Sequence, residues 1–350
     1  MKGRGAQINT DNPFAAHRAA RHPDLTFSSA TEEIQTEYLE THPKTIINKV
    51  ESPDIGLEHS MNPYQGCEHG CVYCYARNTH PYWGYSAGLD FESKILVKRE
   101  APQLLAKKLA SPKWIPSPIM LSGNTDCYQP VEAKLKITRQ LLEVLERFHH
   151  PVGIITKSAL ILRDLDIIQR MAEKKLVSVA ISINTLDESL RRQLEPRTAT
   201  AQRRLQVIET LSNAGVHVHA MLAPVIPGLN DHELMDLMEA VSAAGAKDAG
   251  YIVVRLNGDV GPIFMDWLKK KYKDRAQRII NRILDAHGGQ LNDSRSGIRM
   301  KGEGKYAEMI GAHFHLAKRR FMPNIQPFEY DLSLYEKARN PQLNLFDLMR

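Results

Sequence analysis

Residues 62–77 read NPYQGCEHGCVYCYAR and carry three of the four cysteines of this 350-residue chain. Cys67, Cys71 and Cys74 follow the spacing C-x3-C-x2-C, whereas Cys127 stands apart. Four cysteines in a chain of this length cannot form a disulfide framework, and clustered cysteines in a reduced compartment usually bind metal. The short cysteine-rich loop is therefore the first candidate for a functional site.

Three thiolates on one compact loop fit a [4Fe–4S] cluster in which one iron has no protein ligand. A structural zinc site is one alternative, but zinc normally takes four ligands and a second cysteine pair is missing here. His69 is available as a fourth ligand, although it lies between two of the cysteines. A chance grouping of cysteines is the other alternative. The aromatic residue before Cys74 favours the cluster, held by Cys67, Cys71 and Cys74.

Short apolar runs alternate with helical periods from about residue 44 to residue 262. Repeated strand–helix units favour a parallel sheet or barrel, and near-continuously apolar strands fit burial on both faces. Six units are fewer than the eight of a full barrel, so we predict an α/β fold, a partial (β/α)6 TIM-type barrel with N- and C-terminal extensions. Lys94–Lys98 is a further strand that is expected to pair at an edge. The six predicted barrel strands are Gly56–Tyr64, Ile119–Leu121, Val152–Thr156, Leu176–Asn184, Val216–Ala223 and Tyr251–Leu256.

Composition divides the chain into four predicted regions. Residues 1–45 form a basic irregular arm, residues 46–265 the barrel core, residues 266–335 a basic helical region and residues 336–350 a tail. The chain has 43% hydrophobic and 25% charged residues, close to the averages for soluble proteins. No apolar run approaches the roughly 20 residues that span a bilayer, and no apolar signal segment follows the N-terminus. We therefore expect a cytoplasmic protein with no membrane partner.

The cysteine loop resembles the motif of the radical SAM superfamily, because Tyr73 precedes the last cysteine and the loop opens a series of six strand–helix units. The resemblance covers roughly residues 50–260. It implies that the three cysteines hold a [4Fe–4S] cluster and that S-adenosylmethionine (SAM) binds the fourth iron. One electron then cleaves SAM to a 5′-deoxyadenosyl radical, while the protein supplies positioning and excludes water. The resemblance also implies an electron donor such as flavodoxin or ferredoxin.

Residues 66–75 are similar to the spore photoproduct lyase branch of that superfamily, in which tyrosines flank the last cysteine as Tyr73 and Tyr75 do here. Those tyrosines are thought to relay a hydrogen atom, which implies catalytic roles for Tyr73 and Tyr75. Cys127 lies near the second predicted strand, where a cysteine of that branch donates hydrogen. In this chain Cys127 follows a Thr-Asp pair, whereas in the lyase branch the cysteine precedes the matching Ser/Thr-Asp pair. A small buried thiol is the alternative for Cys127.

Ligands of parallel strand–helix folds bind at the carboxyl ends of the strands, so the polar residues there are candidates for a SAM site. Lys157 belongs to a Thr-Lys pair that matches the lyase branch and is a partner for the methionine carboxylate. Ser182 and Asn184 lie two residues apart on one strand, so both are placed for the ribose hydroxyls. Helix caps, turns and solvated charges are the alternative for each of these residues. The predicted SAM-binding set is Tyr73, Ser122, Gly123, Asn124, Thr125, Asp126, Lys157, Ser182, Asn184, Arg197 and Pro224.

The last ten residues contain a second motif, in which Gln342, Leu343, Leu345 and Phe346 resemble the pentapeptide that docks bacterial replication and repair proteins on the β sliding clamp. An apolar tail that folds back on the barrel is the alternative. The 46 basic and 40 acidic residues give a net charge of +6, and basic residues concentrate in residues 299–320. Such a region can bind the phosphates of DNA or RNA, and a solvated basic face explains it equally well.

Together these features predict a cytosolic bacterial radical SAM enzyme that acts on nucleic acid. The leading hypothesis is repair or modification of a DNA lesion by hydrogen abstraction. A second hypothesis keeps the radical chemistry and gives it a tRNA, peptide or small-molecule substrate. A third is a non-catalytic iron–sulfur accessory protein of the replication clamp. The substrate itself is not encoded in the shared core, because loops and terminal regions read it.

Overall fold

The computed structural model describes residues 3–14, 35–325 and 327–335. The strands are β1 Glu37–Glu40, β2 Ile47–Lys49, β3 His59–Met61, β4 Tyr64–Gln65, β5 Lys94–Val97, β6 Ile119–Leu121, β7 Val152–Thr156, β8 Val177–Ser182, β9 His217–Val225 and β10 Asp248–Val253. The α-helices are α1 Leu89–Ser93, α2 Ala101–Leu109, α3 Glu132–Leu135, α4 Ile137–Arg147, α5 Leu165–Glu173, α6 Glu188–Leu194, α7 Ala201–Asn213, α8 Leu234–Ala243, α9 Val260–Lys271, α10 Ala276–Asp285 and α11 Gly304–Phe321.

A seven-stranded sheet forms the centre of the fold, in the order β10-β9-β8-β7-β6-β3-β2. Neighbouring strands are parallel except β2 and β3, which pair in antiparallel fashion. The six parallel strands fall at the six predicted positions, although β10 begins at Asp248, three residues before the predicted start. The sheet stays open between β10 and β2, so the predicted partial (β/α)6 barrel is confirmed.

Burial explains why these short apolar runs become strands. In β8, Val177, Val179 and Ile181 are at most 1% exposed, because helices cover the sheet. On α5, Ile168 and Met171 are both 0% exposed and face the same core. Full burial of each such side chain stabilises the fold by roughly 1.5–3 kcal/mol. The core therefore fixes the strand ends from which the site is built.

A second, three-stranded sheet lies outside the barrel, in the order β1-β5-β4. It contains the extra strand predicted at Lys94–Lys98, which pairs with β1 and β4 rather than with the barrel. Strand β1 lies in the segment predicted to be irregular, and Arg4 and Ala6 of the same segment are buried against the core. These differences arise because the partners are distant in sequence, as in the pairing of Glu40 with Val97.

The C-terminal helices continue the core. Helix α9 runs through the predicted boundary between residues 265 and 266. Helix α11 buries Ala307, Ile310, Phe314 and Ala317. Within the three described ranges, none of the helices combines the length and the apolar character that a membrane crossing requires.

Candidate active site

The three clustered cysteines lie on the loop that follows β3 and β4, at the carboxyl edge of the parallel sheet. Cys67 and Cys71 are each 7% exposed, Cys74 is half-buried, and all three are free thiols. Gly66 and Gly70 have φ angles of 79° and 69°, in the left-handed region that residues with a Cβ avoid. The two glycines let the backbone turn tightly between the cysteines.

The donor set fits an iron–sulfur cluster better than a single zinc ion. In the part of the chain that the structure describes, no three His, Cys, Asp or Glu side chains converge as one metal ion requires. Each cysteine ligand of a cluster binds a different iron, so three thiolates need not converge on one point. His69, the candidate fourth zinc ligand, instead places its Nδ1 3.3 Å from a carboxylate oxygen of Asp126. Cys67, Cys71 and Cys74 are therefore the residues that would hold the cluster.

A buried ion pair supports the loop from behind. Arg77 Nη2 lies 2.5 Å from Glu92 Oε1, and both side chains are 0% exposed. Arg77 also donates to the Cys71 carbonyl oxygen through Nε at 2.9 Å and Nη2 at 2.8 Å. The Glu92 carboxylate in turn accepts the N–H groups of Gly5 and Ala6 at 3.0 and 2.7 Å. The backbone of one cysteine is thereby fixed by residues that carry no periodic or motif signal in the sequence.

Tyr73 faces a second buried group of charges. Its hydroxyl donates to the Glu195 carboxylate, which also pairs with Arg204. Burial by itself would raise the pKa of Glu195, but the Arg204 and Lys157 charges hold it below its ordinary value. Burial would likewise lower the pKa of Lys157, but the Glu195 carboxylate and the Cys71 thiol raise it. A cationic Lys157 therefore lies near Cys71, and its role as partner of the methionine carboxylate stays a prediction.

Arg197 does not lie in this group, contrary to its predicted role at the SAM site. Its side chain is exposed, and its Nε donates to the Gly3 carbonyl oxygen at 3.1 Å. The buried arginine near the end of β8 is Arg204, whose Nη1 donates to the Ser182 carbonyl oxygen at 2.9 Å. Helix α7 brings Arg204 back over the strand, and that return is not visible in the sequence order.

The loop formed by residues 122–126 lies beside the cysteine loop, and many of its polar groups are satisfied within the protein. Asn62 Oδ1 accepts the backbone N–H groups of two of its residues, Asn124 and Thr125, at 2.9 and 3.2 Å. The Asp126 carboxylate accepts hydrogen bonds from the Thr156 hydroxyl at 2.7 Å and from the backbone N–H of Lys157 at 2.9 Å. Ser122 Oγ accepts the backbone N–H of Cys127, directly after the loop, at 2.7 Å. These side chains position the loop between β6 and β7.

Tyr75 and Cys127, the other two residues predicted to be catalytic, lie in opposite environments. Tyr75 is 56% exposed, and its hydroxyl donates to the Gly123 carbonyl oxygen. Cys127 is 0% exposed within the main hydrophobic core, and burial raises the pKa of its thiol well above its ordinary value. Cys127 is thus a protonated core thiol, and its position does not support the prediction of a hydrogen donor. The core takes it because it is small and apolar.

Asn184 follows β8 and is an unsatisfied buried group of the site. It is 2% exposed, and neither polar atom of its side chain has a hydrogen-bond partner among the described residues. An unpaired buried polar group costs about 1–3 kcal/mol, so such a group indicates where a polar ligand binds. Asn230, which was not predicted, fixes the backbone around it by donating to the carbonyl oxygens of Asn184 and Pro224 at 2.6 and 3.0 Å. Ser182 is 3% exposed at the end of the same strand.

Two other predicted features stand apart from this site. The clamp-motif residues Gln342, Leu343, Leu345 and Phe346 lie outside the described residues. The basic region 299–320 is partly neutralised, because Arg299 pairs with Asp54 and Lys318 Nζ lies 2.6 Å from Asp248 Oδ1.

Comparison with known sequences places this site in a family. Residues 61–241 match the sequence model of the Radical SAM superfamily. An uncharacterised protein of Mycobacterium tuberculosis is 34% identical over 238 residues, which cover 67% of this chain and 70% of the relative. An uncharacterised protein of Methanocaldococcus jannaschii is 30% identical over 197 residues, or 56% of this chain and 71% of the relative. A radical SAM Nalpha-GlyT isomerase of Pseudomonas phage M6 is 22% identical over 216 residues, which cover 60% of this chain and 42% of that protein.

Solved structures agree at the level of the fold. Spore photoproduct lyase complexed with dinucleoside spore photoproduct aligns over 82% of this chain and 80% of that chain, with a TM-score of 0.58 and 16% identity. A double mutant of the same enzyme with bound AdoMet and dinucleoside spore photoproduct aligns over 86% and 88%, with a TM-score of 0.55 and 15% identity. An iron–sulfur cluster and SAM are the cofactors that the matched family implies. The match spans more than half of the sequence, and the chain belongs to the radical SAM superfamily.

Proposed function

We propose that this chain is a radical SAM enzyme that holds a [4Fe–4S] cluster through Cys67, Cys71 and Cys74 and repairs or modifies DNA. When bound and reduced, the cluster supplies the electron that cleaves SAM and so provides a 5′-deoxyadenosyl radical for hydrogen abstraction. One observation carries the proposal. Three clustered thiols lie at the same sheet edge as Asn184, a buried amide that has no partner among the described residues.

The residues around the cysteines supply what SAM binding requires. Lys157 offers a positive charge to the methionine carboxylate, and it makes no ion pair with any described residue. The Asn184 amide can donate to one ribose hydroxyl and accept from another. Backbone carbonyl oxygens of the loop at residues 122–126 are proposed as acceptors for the methionine amine. Each group is held by the fold before SAM arrives, which lowers the ordering cost of binding.

Tyr73 and Tyr75 are assigned different tasks. Tyr73 is buried and its hydroxyl donates to Glu195, so its ring forms a fixed wall beside the cysteines. Tyr75 is exposed at the open side, where a substrate has to enter. We therefore assign the proposed hydrogen-atom relay to Tyr75 and a positioning role to Tyr73.

The nucleic-acid part of the proposal rests on resemblance and on charge. The related lyase structure contains a dinucleoside lesion, and this chain carries a net charge of +6. Arg319 and Arg320 are exposed on α11, where they are available to phosphates. The C-terminal residues Leu345 and Phe346 are proposed as anchors on the β sliding clamp. Retention of the protein on immobilised clamp should be lost when both are changed to alanine, and unchanged retention would remove the clamp from the proposal.

The substrate is tested by stimulation of SAM cleavage. Reconstituted protein is incubated with SAM and dithionite in the presence of ultraviolet-irradiated DNA, undamaged DNA or bulk tRNA, and 5′-deoxyadenosine is measured by chromatography. We expect irradiated DNA to increase its release, and DNA affinity to fall steeply with salt because phosphate contacts release counterions. Stimulation by tRNA alone would assign the activity to RNA. A flat salt response without stimulation would favour a peptide or a small molecule.

A further inference from the structure

A cavity of about 310 Å³ lies where residues 3–7 meet the ends of α6 and α9. Arg4, Arg192, Lys270 and Lys271 line it, and none of the described residues that line it is acidic. Burial and then the neighbouring Arg197 guanidinium lower the pKa of Arg4, whereas the Glu92 and Glu68 carboxylates raise it. The cavity is therefore a cationic site separate from the residues predicted to bind SAM.

One layer of backbone separates this basic cavity from the cysteine loop. Gly5 packs so closely on the loop that a Cβ there would lie 1.7 Å from the Gly70 carbonyl oxygen. On the other wall, the Leu194 carbonyl oxygen accepts the Val72 N–H at 3.1 Å. Arg4, which precedes Gly5, and Gln193, which precedes Leu194, both line the cavity. A partner bound in the cavity would be separated from the segment that carries Cys71 by only one residue of backbone on each wall.

Trp267 connects the basic cavity to the same segment. Its side chain is 2% exposed, lines the cavity and belongs to the hydrophobic cluster that contains Cys71, Val72 and Tyr73. Its indole N–H has no hydrogen-bond partner in the described part of the chain. Because electron transfer slows steeply with distance, a cavity wall that shares a hydrophobic cluster with a proposed iron ligand suits a site of electron entry.

We propose that the basic cavity and the exposed ends of α6 and α9 around it dock an acidic one-electron carrier protein of the flavodoxin or ferredoxin type. The inference rests on the proposed function, because it supplies the reductant that the cluster requires. The reduced carrier loses one electron, the oxidised cluster gains it, and no bond is made or broken. A positive surface speeds the encounter with a negative partner and orients it.

The three cations that α6 and α9 contribute to this surface are available to a partner. Lys270 Nζ lies 2.8 Å from Asp266, and Arg192 Nε lies 3.3 Å from Glu188. Each pair lies within a single helix and is exposed to solvent. Such an ion pair contributes well under about 1 kcal/mol to stability, and its partners can exchange readily. Lys271 is exposed and makes no ion pair with any residue in the described ranges.

The orientation of the wall favours a carrier over the nucleic-acid substrate. Gln193 and Pro196 line the cavity, whereas the intervening Glu195 is 0% exposed and turns inward to Tyr73. The cavity therefore lies on the outer side of this turn and the predicted SAM site on its inner side. A substrate must reach the inner side, whereas an electron needs only proximity to the cluster.

The test reverses the charge at the cavity and follows reduction of the cluster. Lys270→Glu/Lys271→Glu is compared with Lys107→Glu/Lys113→Glu, a matched exposed pair at α2 that does not line the cavity. Reduction of the loaded protein by photoreduced flavodoxin and by a reduced [4Fe–4S] ferredoxin is followed by visible absorbance and electron paramagnetic resonance. The cavity variant should be reduced about tenfold or more slowly at low salt, with the difference shrinking as salt rises. Iron content and reduction by dithionite should match those of the wild type.

Two results would overturn the inference. The first is equal reduction of the cavity variant and the control variant by both carriers. The second is weaker binding of a fluorescent oligonucleotide to the cavity variant with unchanged reduction, which would make the surface a nucleic-acid site. Failure of the proposed function is a separate result, namely that the wild-type protein releases no 5′-deoxyadenosine even with dithionite.

Discussion

Two buried polar groups of the barrel differ in how completely they are satisfied. Near α3 and α5, Glu132 accepts hydrogen bonds from Arg163, Tyr64 and the Thr138 backbone, so both carboxylate oxygens have donors. Asp164 is likewise fully bonded, by Tyr128 and by two arginines. We call this set, Tyr64, Tyr128, Glu132, Arg139, Arg163 and Asp164, the scaffold network.

The carboxyl ends of β8 and β10 show the opposite pattern. Both side-chain polar atoms of Asn184 and the Asn257 Oδ1 are buried, and none of them has a partner among the described residues. A satisfied network contributes to folding, whereas unsatisfied groups cost stability and are retained where a ligand completes them. The difference separates residues that hold the fold from residues that we propose to bind SAM or substrate.

The largest effect is expected at the cysteine loop. Cys71→Ala should reduce the iron bound after reconstitution to near the background level, because it removes one of only three thiolate ligands. Cys127→Ala is the matched control in the core, and it should keep its iron while losing about 1–2 kcal/mol of unfolding free energy. Iron and sulfide assays with denaturant titrations measure both. Equal iron loss in the two variants would contradict the assignment of ligands.

The next effect is on stability in the scaffold network. Glu132→Gln should lower the free energy of unfolding by about 2 kcal/mol, because it weakens the buried hydrogen bonds that the carboxylate accepts, although Arg163 keeps Asp164 as a charge partner. SAM affinity should stay within twofold of wild type, since no side chain of this network is in the predicted SAM-binding set. Urea denaturation and calorimetry provide the two readouts. A loss under about 1 kcal/mol would mean that the network is not a scaffold.

A pH effect is expected at the junction between the cysteine loop and β7. Burial alone would raise the pKa of Asp126, but the neighbouring His69 holds it at about 2, below the ordinary 3.8. A carboxylate with a lowered pKa stabilises the fold above about pH 4, and the contribution is lost as pH falls toward 2. Asp126→Asn should therefore lower the free energy of unfolding of the metal-free protein by about 2 kcal/mol at pH 6. The loss should become smaller as the pH falls below 4. A pH-independent difference would show that the charge is not responsible.

The smallest effect is expected at Asn184. Asn184→Ala should weaken SAM binding about tenfold, the loss of roughly 1.4 kcal/mol of hydrogen bonding, while the stability of the SAM-free protein stays equal or rises. Asn213→Ala, at the exposed end of α7, is the control and should change neither quantity. Titration calorimetry and thermal unfolding report the two properties. Lower stability with normal SAM affinity would place Asn184 in the scaffold.

The sequence predicted the parts of the molecule that local patterns encode. The six barrel strands are short apolar runs, so burial on both faces could be inferred from residues such as Val177 and Ile181. The cysteine loop was visible because three ligands of one type fall within eight positions. The positions of Lys157 and Asn184 after two strands could also be inferred from the sequence, whereas their roles in SAM binding stay predictions.

What remained hidden depends on contacts between distant segments. Arg204 rather than Arg197 reaches the end of β8, because the path of α7 decides which arginine turns inward. The support of Cys71 by Arg77 and Glu92 also lacks a pattern, since a single buried pair has no periodicity. The position of residues 3–10 likewise depends on Glu92, whose carboxylate accepts hydrogen bonds from Gly5 and Ala6 more than 80 positions away.

The central claim is that the cysteine loop holds a cluster which cleaves SAM. The most direct test is release of 5′-deoxyadenosine by anaerobically reconstituted protein with dithionite and SAM, beside Cys71→Ala treated in the same way. The account predicts release by the wild-type protein and none above background by the variant. Wild-type protein that carries about four iron atoms per chain and still releases no 5′-deoxyadenosine would contradict it.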